Sequence, residues 1–209
     1  DVSPRVRDLM VRNVIHLDEN ATCAEALGIF DRHDIRVVPV TGSKRIVGTI
    51  SLSTLGGVFI PRLSEPRLLR LVRTSLANIT RTLEGQALHV VDEQRIQDLY
   101  VRLGTMDISS FWSISIRENI PAEQSIIIVG DRSDIQRRAF EIGVRAVVIT
   151  SNLGIDEDIL ALAREKGTSL IISPYDSATT SWIVRTASTL ERIVDREFTT
   201  VDSDTLIAD

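Results

Sequence analysis

Apolar runs closed by polar turns recur through the second half of the chain. Ser125-Ile126-Ile127-Ile128-Val129 places four β-branched residues in succession, a pattern that suits a strand buried on both faces. Gly130 ends the run and Asp131-Arg132 open a helix, where Ile135, Ala139 and Ile142 form a stripe that stops at Gly143, a favoured helix-ending residue. The unit then repeats. Ala146-Val147-Val148-Ile149 ends in Thr150-Ser151-Asn152. A helix with Asp156 at its cap follows, with Ile159, Leu162 and Ala163 inward and Gly167 as its stop. Leu170-Ile171-Ile172 ends in Ser173-Pro174-Tyr175-Asp176, and a last helix from near Ser177 carries Ile183, Ala187, Leu190 and Val194 on one face. Consecutive βαβ units of this kind predict a mainly parallel sheet with right-handed crossovers. Polar residues gather after each strand, where an open parallel sheet presents its ligand crevice.

The first 60 residues carry a different rhythm. Asp8-Leu9-Met10 predicts a short helical turn, and Val14-Ile15-His16-Leu17 a short strand. Thr22-Cys23-Ala24-Glu25 has the spacing of a capping box, followed by Cys23, Ala26, Leu27 and Phe30 on one helix face. Cys23 is therefore read as core packing. Val37–Val40 and Ile46–Ser51 predict two strands joined by the turn Thr41–Lys44, and a second helix runs from about Leu52. The segment is βαββα. Pro61 to Pro66 marks a boundary, because two prolines bracket polar residues. Beyond it Leu68, Leu71 and Val72 make an amphipathic stripe, with Arg67, Arg70 and Arg73 nearby, read as a solvated face, the alternative being a site for an acidic partner. A helix over 77–83, strands at 87–91 and 99–103, and a buried helix face of Ile108, Phe111 and Trp112 complete the middle of the chain.

Composition narrows the function classes. The formal charge is −5, against a general nucleic-acid binder with its basic patch. No apolar run approaches the length of a membrane span, and no signal-peptide pattern opens the sequence. A single cysteine cannot form an internal disulfide, which fits a reducing, cytoplasmic setting. The three histidines, His16, His33 and His89, lie far apart and show no metal-ligand spacing.

Residues 5–58 resemble a cystathionine-β-synthase (CBS) domain, through Asp8-Leu9-Met10, Val37-Val38-Pro39-Val40 and Gly48-Thr49-Ile50-Ser51-Leu52-Ser53-Thr54. The resemblance implies pairing with another CBS domain and an adenine nucleotide (AMP, ADP, ATP or a diadenosine polyphosphate) in the cleft. It implies that Val37, Val38 and Pro39, with Asn13 and Val14 on the entry strand, flank the base, that Gly48 and Ser51 meet phosphate with the amides of the helix start, and that Arg12 adds charge there. Thr54 stands where the family often has an Asp for the ribose, and a hydroxyl is the weaker, neutral partner. The alternative is that Gly48 and Ser51 only make a turn and a helix cap.

Residues 77–190 resemble a DRTGG domain, named for its Asp-Arg and Thr-Gly-Gly residues. Asp131-Arg132 and Thr150 match, Ser151-Asn152 replace the two glycines, and Pro174-Tyr175-Asp176-Ser177 resembles the family's Tyr-Asp-Thr turn. A positive φ is easy for Gly, tolerable for Asn and poor for Ser. Asp131, Arg132, Thr150 and Asp176 form a possible crevice site. The alternative is structural, with Asp131 paired to Arg132 or capping a helix and Asp176 capping the last helix.

The expected architecture is thus α/β: a CBS-type βαββα domain at 1–62, a mainly parallel-sheet DRTGG domain at 63–190, and the start of a second CBS domain at 191–209. This order is similar to the regulatory region of bacterial manganese-dependent inorganic pyrophosphatases. The resemblance implies a homodimeric, nucleotide-binding regulatory region acting on a catalytic region of the same polypeptide. Manganese would belong to that catalytic region, whose Asp-His-His motif this sequence lacks, so the chain itself is expected not to be an enzyme. Two other readings stand beside it: a ligand-free dimerisation module, and a small-molecule site in the α/β crevice.

Overall fold

The computed structural model describes residues 3–60, 70–105 and 108–207, without the side chains at 108, 111, 112, 114 and 115. The expected boundary at 61–66, together with Arg67 and Leu68, lies outside the described residues, as do the side chains of Ile108, Phe111 and Trp112. The chain divides into two compact units. Unit 1 comprises residues 1–21, 25–60 and 190–209, and unit 2 residues 22–24 and 61–189.

Unit 1 contains α1 (Val6–Leu9), β1 (Leu17–Asp18), most of α2 (Cys23–His33), β2 (Val37–Gly42), β3 (Arg45–Ser51) and α3 (Leu52–Phe59). β1 runs parallel to β2 and β2 antiparallel to β3, so the predicted βαββα order holds. The β2–β3 turn is tight because Ser43 and Lys44 adopt the left-handed conformation, with φ of 50° and 64°. On α2, Cys23, Ala26 and Phe30 are buried on the expected face. Burial pushes the Cys23 thiol up to about 12, only partly offset by a backbone hydrogen bond, so it stays protonated and packs as a small apolar side chain.

Unit 2 contains β4 (Leu71–Thr74), α4 (Leu76–Thr82), β5 (Gln86–His89), β6 (Gln97–Leu103), α5 (Ile108–Glu118), β7 (Ser125–Val129), α6 (Ser133–Glu141), β8 (Ala146–Ile149), α7 (Glu157–Lys166), β9 (Ser169–Ile172) and α8 (Ser177–Thr186). Its sheet has the order β4-β6-β7-β8-β9-β5. β6 to β9 are parallel, and the edge strands β4 and β5 are antiparallel to their neighbours. Alternation along the strands feeds two cores. Ile126, Ile128, Ala146, Val148 and Ile171 pack with Leu76 and Ile79 of α4, Leu83 at its C-cap, and Val184 of α8. Ile127, Val129, Val147, Ile149 and Leu170 pack with Ile135, Ala139 and Phe140 of α6 and Ile159 and Ala163 of α7. The four-residue apolar run at 126–129 is buried throughout because both faces are covered.

Three expectations are corrected. Leu71 and Val72 lie on a strand, β4, not a helical stripe. Arg70 and Arg73 are not a solvated face: Arg70 pairs with Glu118 at 2.8 Å and Arg73 with Asp98 at 3.5 Å. The last helix ends at Thr186, so Leu190 and Val194 do not continue its stripe. Asp156 occupies the N-cap position of α7, with its side chain free of the cap hydrogen bond.

Candidate functional site

In unit 1 the strand register separates the proposed nucleotide residues. Val37 lies opposite Ser51 and Pro39 opposite Thr49, on one face of the hairpin. Val38, Val40, Gly48 and Ile50 occupy the other, buried face. Val37 is 54% exposed, whereas the Val38 side chain is fully covered. Ser51 ends β3 and caps α3. Its Oγ accepts from the Thr54 N–H at 3.1 Å and shares hydrogen bonds of 2.8 Å with Ser53 Oγ and Thr54 Oγ1. The first turn of α3 carries no acidic residue. The result is a helix start lined by three hydroxyls beside an exposed valine and a proline, a neutral setting that favours an anion. Arg12, Asn13 and Val14 form the exposed bend between α1 and β1, where Arg12 Nη2 donates to the Arg7 carbonyl at 3.2 Å.

In unit 2 the four crevice residues all follow parallel strands at one edge of the sheet. Asp131 lies just beyond β7, Thr150 beyond β8 and Asp176 beyond β9. β8 and β9 are neighbours, yet α7 packs on one face of the sheet and α8 on the other. Loops that diverge in this way open a crevice in α/β sheets. Here the loops are tied together. The Ser151 N–H donates to the Tyr175 carbonyl at 2.8 Å and the Asn152 N–H to the Ser173 carbonyl at 3.0 Å. Thr150 Oγ1 lies 3.3 Å from Ser177 Oγ, and a buried Ser173–Thr180 hydroxyl pair at 2.7 Å completes the tie.

The signature positions explain this geometry. Ser151 and Asn152, where the family pattern has two glycines, have φ of 63° and 50°. The left-handed turn is kept without glycine, and it aims both amides at the next loop. Asp176 caps α8 through hydrogen bonds to the Ala178 and Thr179 amides at 2.8 and 3.0 Å, and it accepts from Thr179 Oγ1 at 2.6 Å. The Thr179 hydroxyl and amide hold its carboxyl below the usual range. Arg132 turns to Asp134 at 2.7 Å rather than to Asp131. Among the described residues Asp131 makes no side-chain hydrogen bond or ion pair.

Sequence reasoning missed a charged cluster beside β4. Arg70 Nη2 reaches both carboxylate oxygens of Glu118 at 2.8 Å. Arg102 on β6 is 5% exposed. Burial, then the positive Arg70, bring its guanidinium down to about 10, and Glu118 opposes that shift. A separation of 48 positions hid the Arg70–Glu118 pair. No group of three or more His, Cys, Asp or Glu side chains among the described residues is arranged to hold a metal ion. No helix among them is long and apolar enough to cross a membrane.

A small βαββα unit and a two-faced α/β unit with a Thr150 turn define a CBS–DRTGG architecture. A family model for the DRTGG domain matches residues 78–187 and one for the CBS domain matches residues 6–55. The chain belongs to the DRTGG-domain family and carries a CBS domain before it. It is 24% identical over 210 residues to the cobalt-dependent inorganic pyrophosphatase of Clostridium perfringens, an alignment covering 100% of this chain and 37% of the relative. It is 22% identical over 213 residues to a protein of Thermotoga maritima named "Probable manganese-dependent inorganic pyrophosphatase", covering 96% of this chain and 35% of the relative. The chain thus spans little more than a third of the length of these relatives. Its fold is similar to the crystal structure of the CBS and DRTGG domains of the regulatory region of the C. perfringens pyrophosphatase, complexed with the activator diadenosine tetraphosphate. The TM-score is 0.77 at 23% identity, covering 92% of this chain and 81% of that chain.

Proposed function

We propose that this chain is the regulatory region of a metal-dependent inorganic pyrophosphatase and that it binds an adenine nucleotide in unit 1. The observation that carries the reading is co-extension: the alignment to the C. perfringens pyrophosphatase takes in the whole chain, and the similar solved structure is that enzyme's regulatory region with a nucleotide activator. Hydrolysis and its manganese or cobalt would reside in a catalytic region of the same polypeptide. The base would lie against Val37 and Pro39, with backbone groups of Val38 reading its edge. Ser51 and the first amides of α3 would hold phosphate, with Gly48 three residues back along β3, Arg12 would add charge, Asn13 and Val14 would close the entry side, and Thr54 would face the ribose. Residues 191–209 would begin a second CBS domain, and the molecule would act as a cytoplasmic homodimer. A regulator must bind two conformations unequally, so the ligand would shift an existing equilibrium.

Calorimetry with AMP, ATP and diadenosine tetraphosphate tests the reading. Binding by the parent chain, weakened about fivefold by Ser51→Ala (the scale of one hydrogen bond) and unaffected by Asp131→Ala, is the expected result. The reverse pattern would move the site to the crevice of Asp131, Arg132, Thr150 and Asp176. Light scattering that gives a monomer at tens of micromolar would remove the homodimer.

A further inference from the structure

After the excursion through unit 2, residues 194–207 fold against unit 1. Val194 is buried. The Asp195 N–H donates to the Thr49 carbonyl at 2.9 Å and the Thr49 N–H to the Asp195 carbonyl at 2.8 Å, so Asp195 pairs with β3 on the side away from β2. Gly48 lies mid-strand with no left-handed φ. A Cβ there would run into the Asp195 carbonyl oxygen and the Val194 side chain, so this glycine serves close approach of two backbones. The same segment then reaches α1. The Thr205 and Ser203 carbonyls accept from Val6 and Arg7 at 3.0 and 2.9 Å, and Asp204 pairs with Arg7 at 2.7 Å.

We propose that residues 194–207 are a strap that positions the nucleotide site, and that Gly48 and Asp195 act on the ligand through the backbone of β3. The proposal rests on the nucleotide reading of unit 1. β3 is an outer strand of its sheet, and an outer strand leaves one row of N–H and C=O groups unpaired and prone to open. The strap fills that row at Thr49, two residues before Ser51. The other end of the strap fixes α1, which leads into Arg12, Asn13 and Val14. One segment thus orders both the phosphate-facing helix start and the residues on the entry side of the site. Asp195 holds β3 through its main chain; its carboxylate accepts only the Glu197 N–H within the strap, at 2.9 Å, a bond that an asparagine side-chain oxygen can keep.

The test compares Asp195→Pro, which removes the N–H, with Asp195→Asn, which keeps both main-chain bonds. In the full chain without ligand, Asp195→Pro should speed amide exchange about fivefold at Thr49 and at Thr54, whose N–H donates to Ser51 Oγ. Affinity for diadenosine tetraphosphate should fall by a similar factor, and Asp195→Asn should restore both readouts. Gly48→Ala should weaken binding in the same direction, and Asp204→Ala, which frees the far end of the strap, provides a milder break. Unchanged affinity in Asp195→Pro, with a parent chain that binds, overturns the proposal. A parent chain that does not bind sinks the nucleotide reading instead. Thr54 exchange alone then decides whether the strap orders the helix start, and an unchanged rate there overturns it.

Discussion

Units 1 and 2 each end a strand at a helix start, and they cap those helices with opposite chemistry. α3 is capped by Ser51, a neutral hydroxyl joined by Ser53 and Thr54. α8 is capped by Asp176, a carboxylate already bound to two amides and a hydroxyl. A helix start attracts anions through its free N–H groups and its dipole. At α3 that attraction remains available; at α8 it is satisfied from within, and the fixed negative charge repels a phosphate. The sheets differ in the same sense. Unit 2 buries its sheet on both faces and ties its diverging loops together, whereas unit 1 leaves Val37 and Pro39 outside its core. The signature-bearing unit is thereby the better closed of the two, and this contrast is what places the proposed nucleotide site in the smaller one.

The comparison breaks most sharply through the core. Ile127→Ala in β7, at a fully buried position, should cost about 2–5 kcal/mol in denaturant unfolding, while Val37→Ala should cost little. Thr180→Val should cost about 1–3 kcal/mol, because it removes the buried hydroxyl that ties Ser173 and the Tyr175 carbonyl to α8. Loop tying that left stability unchanged after this substitution would show the crevice to be held by packing alone. Ser151→Gly should stabilise unit 2 by about 0.5–1 kcal/mol, since the left-handed conformation strains serine and not glycine. A loss instead would mean that the serine side chain has a role the turn geometry does not reveal. The smallest effect is in pH. The Asp176 carboxyl is depressed in the folded chain, so its contribution is present above the unfolded value of about 4 and is lost as pH falls through the folded one. Thermal melts below that range should therefore be blunted in Asp176→Asn, which keeps a capping oxygen and does not titrate.

Much of this contrast was legible in the residues. The Ile126–Val129 run announced a strand covered on both faces, and Gly143 and Gly167 marked helix ends where the backbone does turn left-handed. The replacement of two glycines by Ser151-Asn152 pointed to the turn where left-handed geometry matters. β4 was hidden because four residues, Leu71-Val72-Arg73-Thr74, fit a helical stripe as readily as a strand, and only pairing with β6 decides. The stripe of α8 extends on paper through Leu190 and Val194. Yet the helix stops at Ala187, whose carbonyl accepts from the Thr74 hydroxyl at 2.6 Å, a tertiary bond with no local signal. Gly48 was legible as part of a motif and not for its reason, because the backbone that needs its missing side chain arrives from residue 195.

The insertion of unit 2 between two stretches of unit 1 has a kinetic consequence. Unit 1 completes its β3 pairing only when Asp195 returns, and residues 61–189 intervene. If that stretch were unfolded, closing a flexible loop of such length would cost about 4 kcal/mol in chain entropy. Folded, it closes most of that span within itself: the Thr189 N–H donates to the Arg73 carbonyl at 2.9 Å. Unit 2, once folded, therefore shortens the flexible loop that must close before Asp195 meets β3. Destabilising substitutions in β7 should slow the folding of unit 1 more than they alter its own contacts.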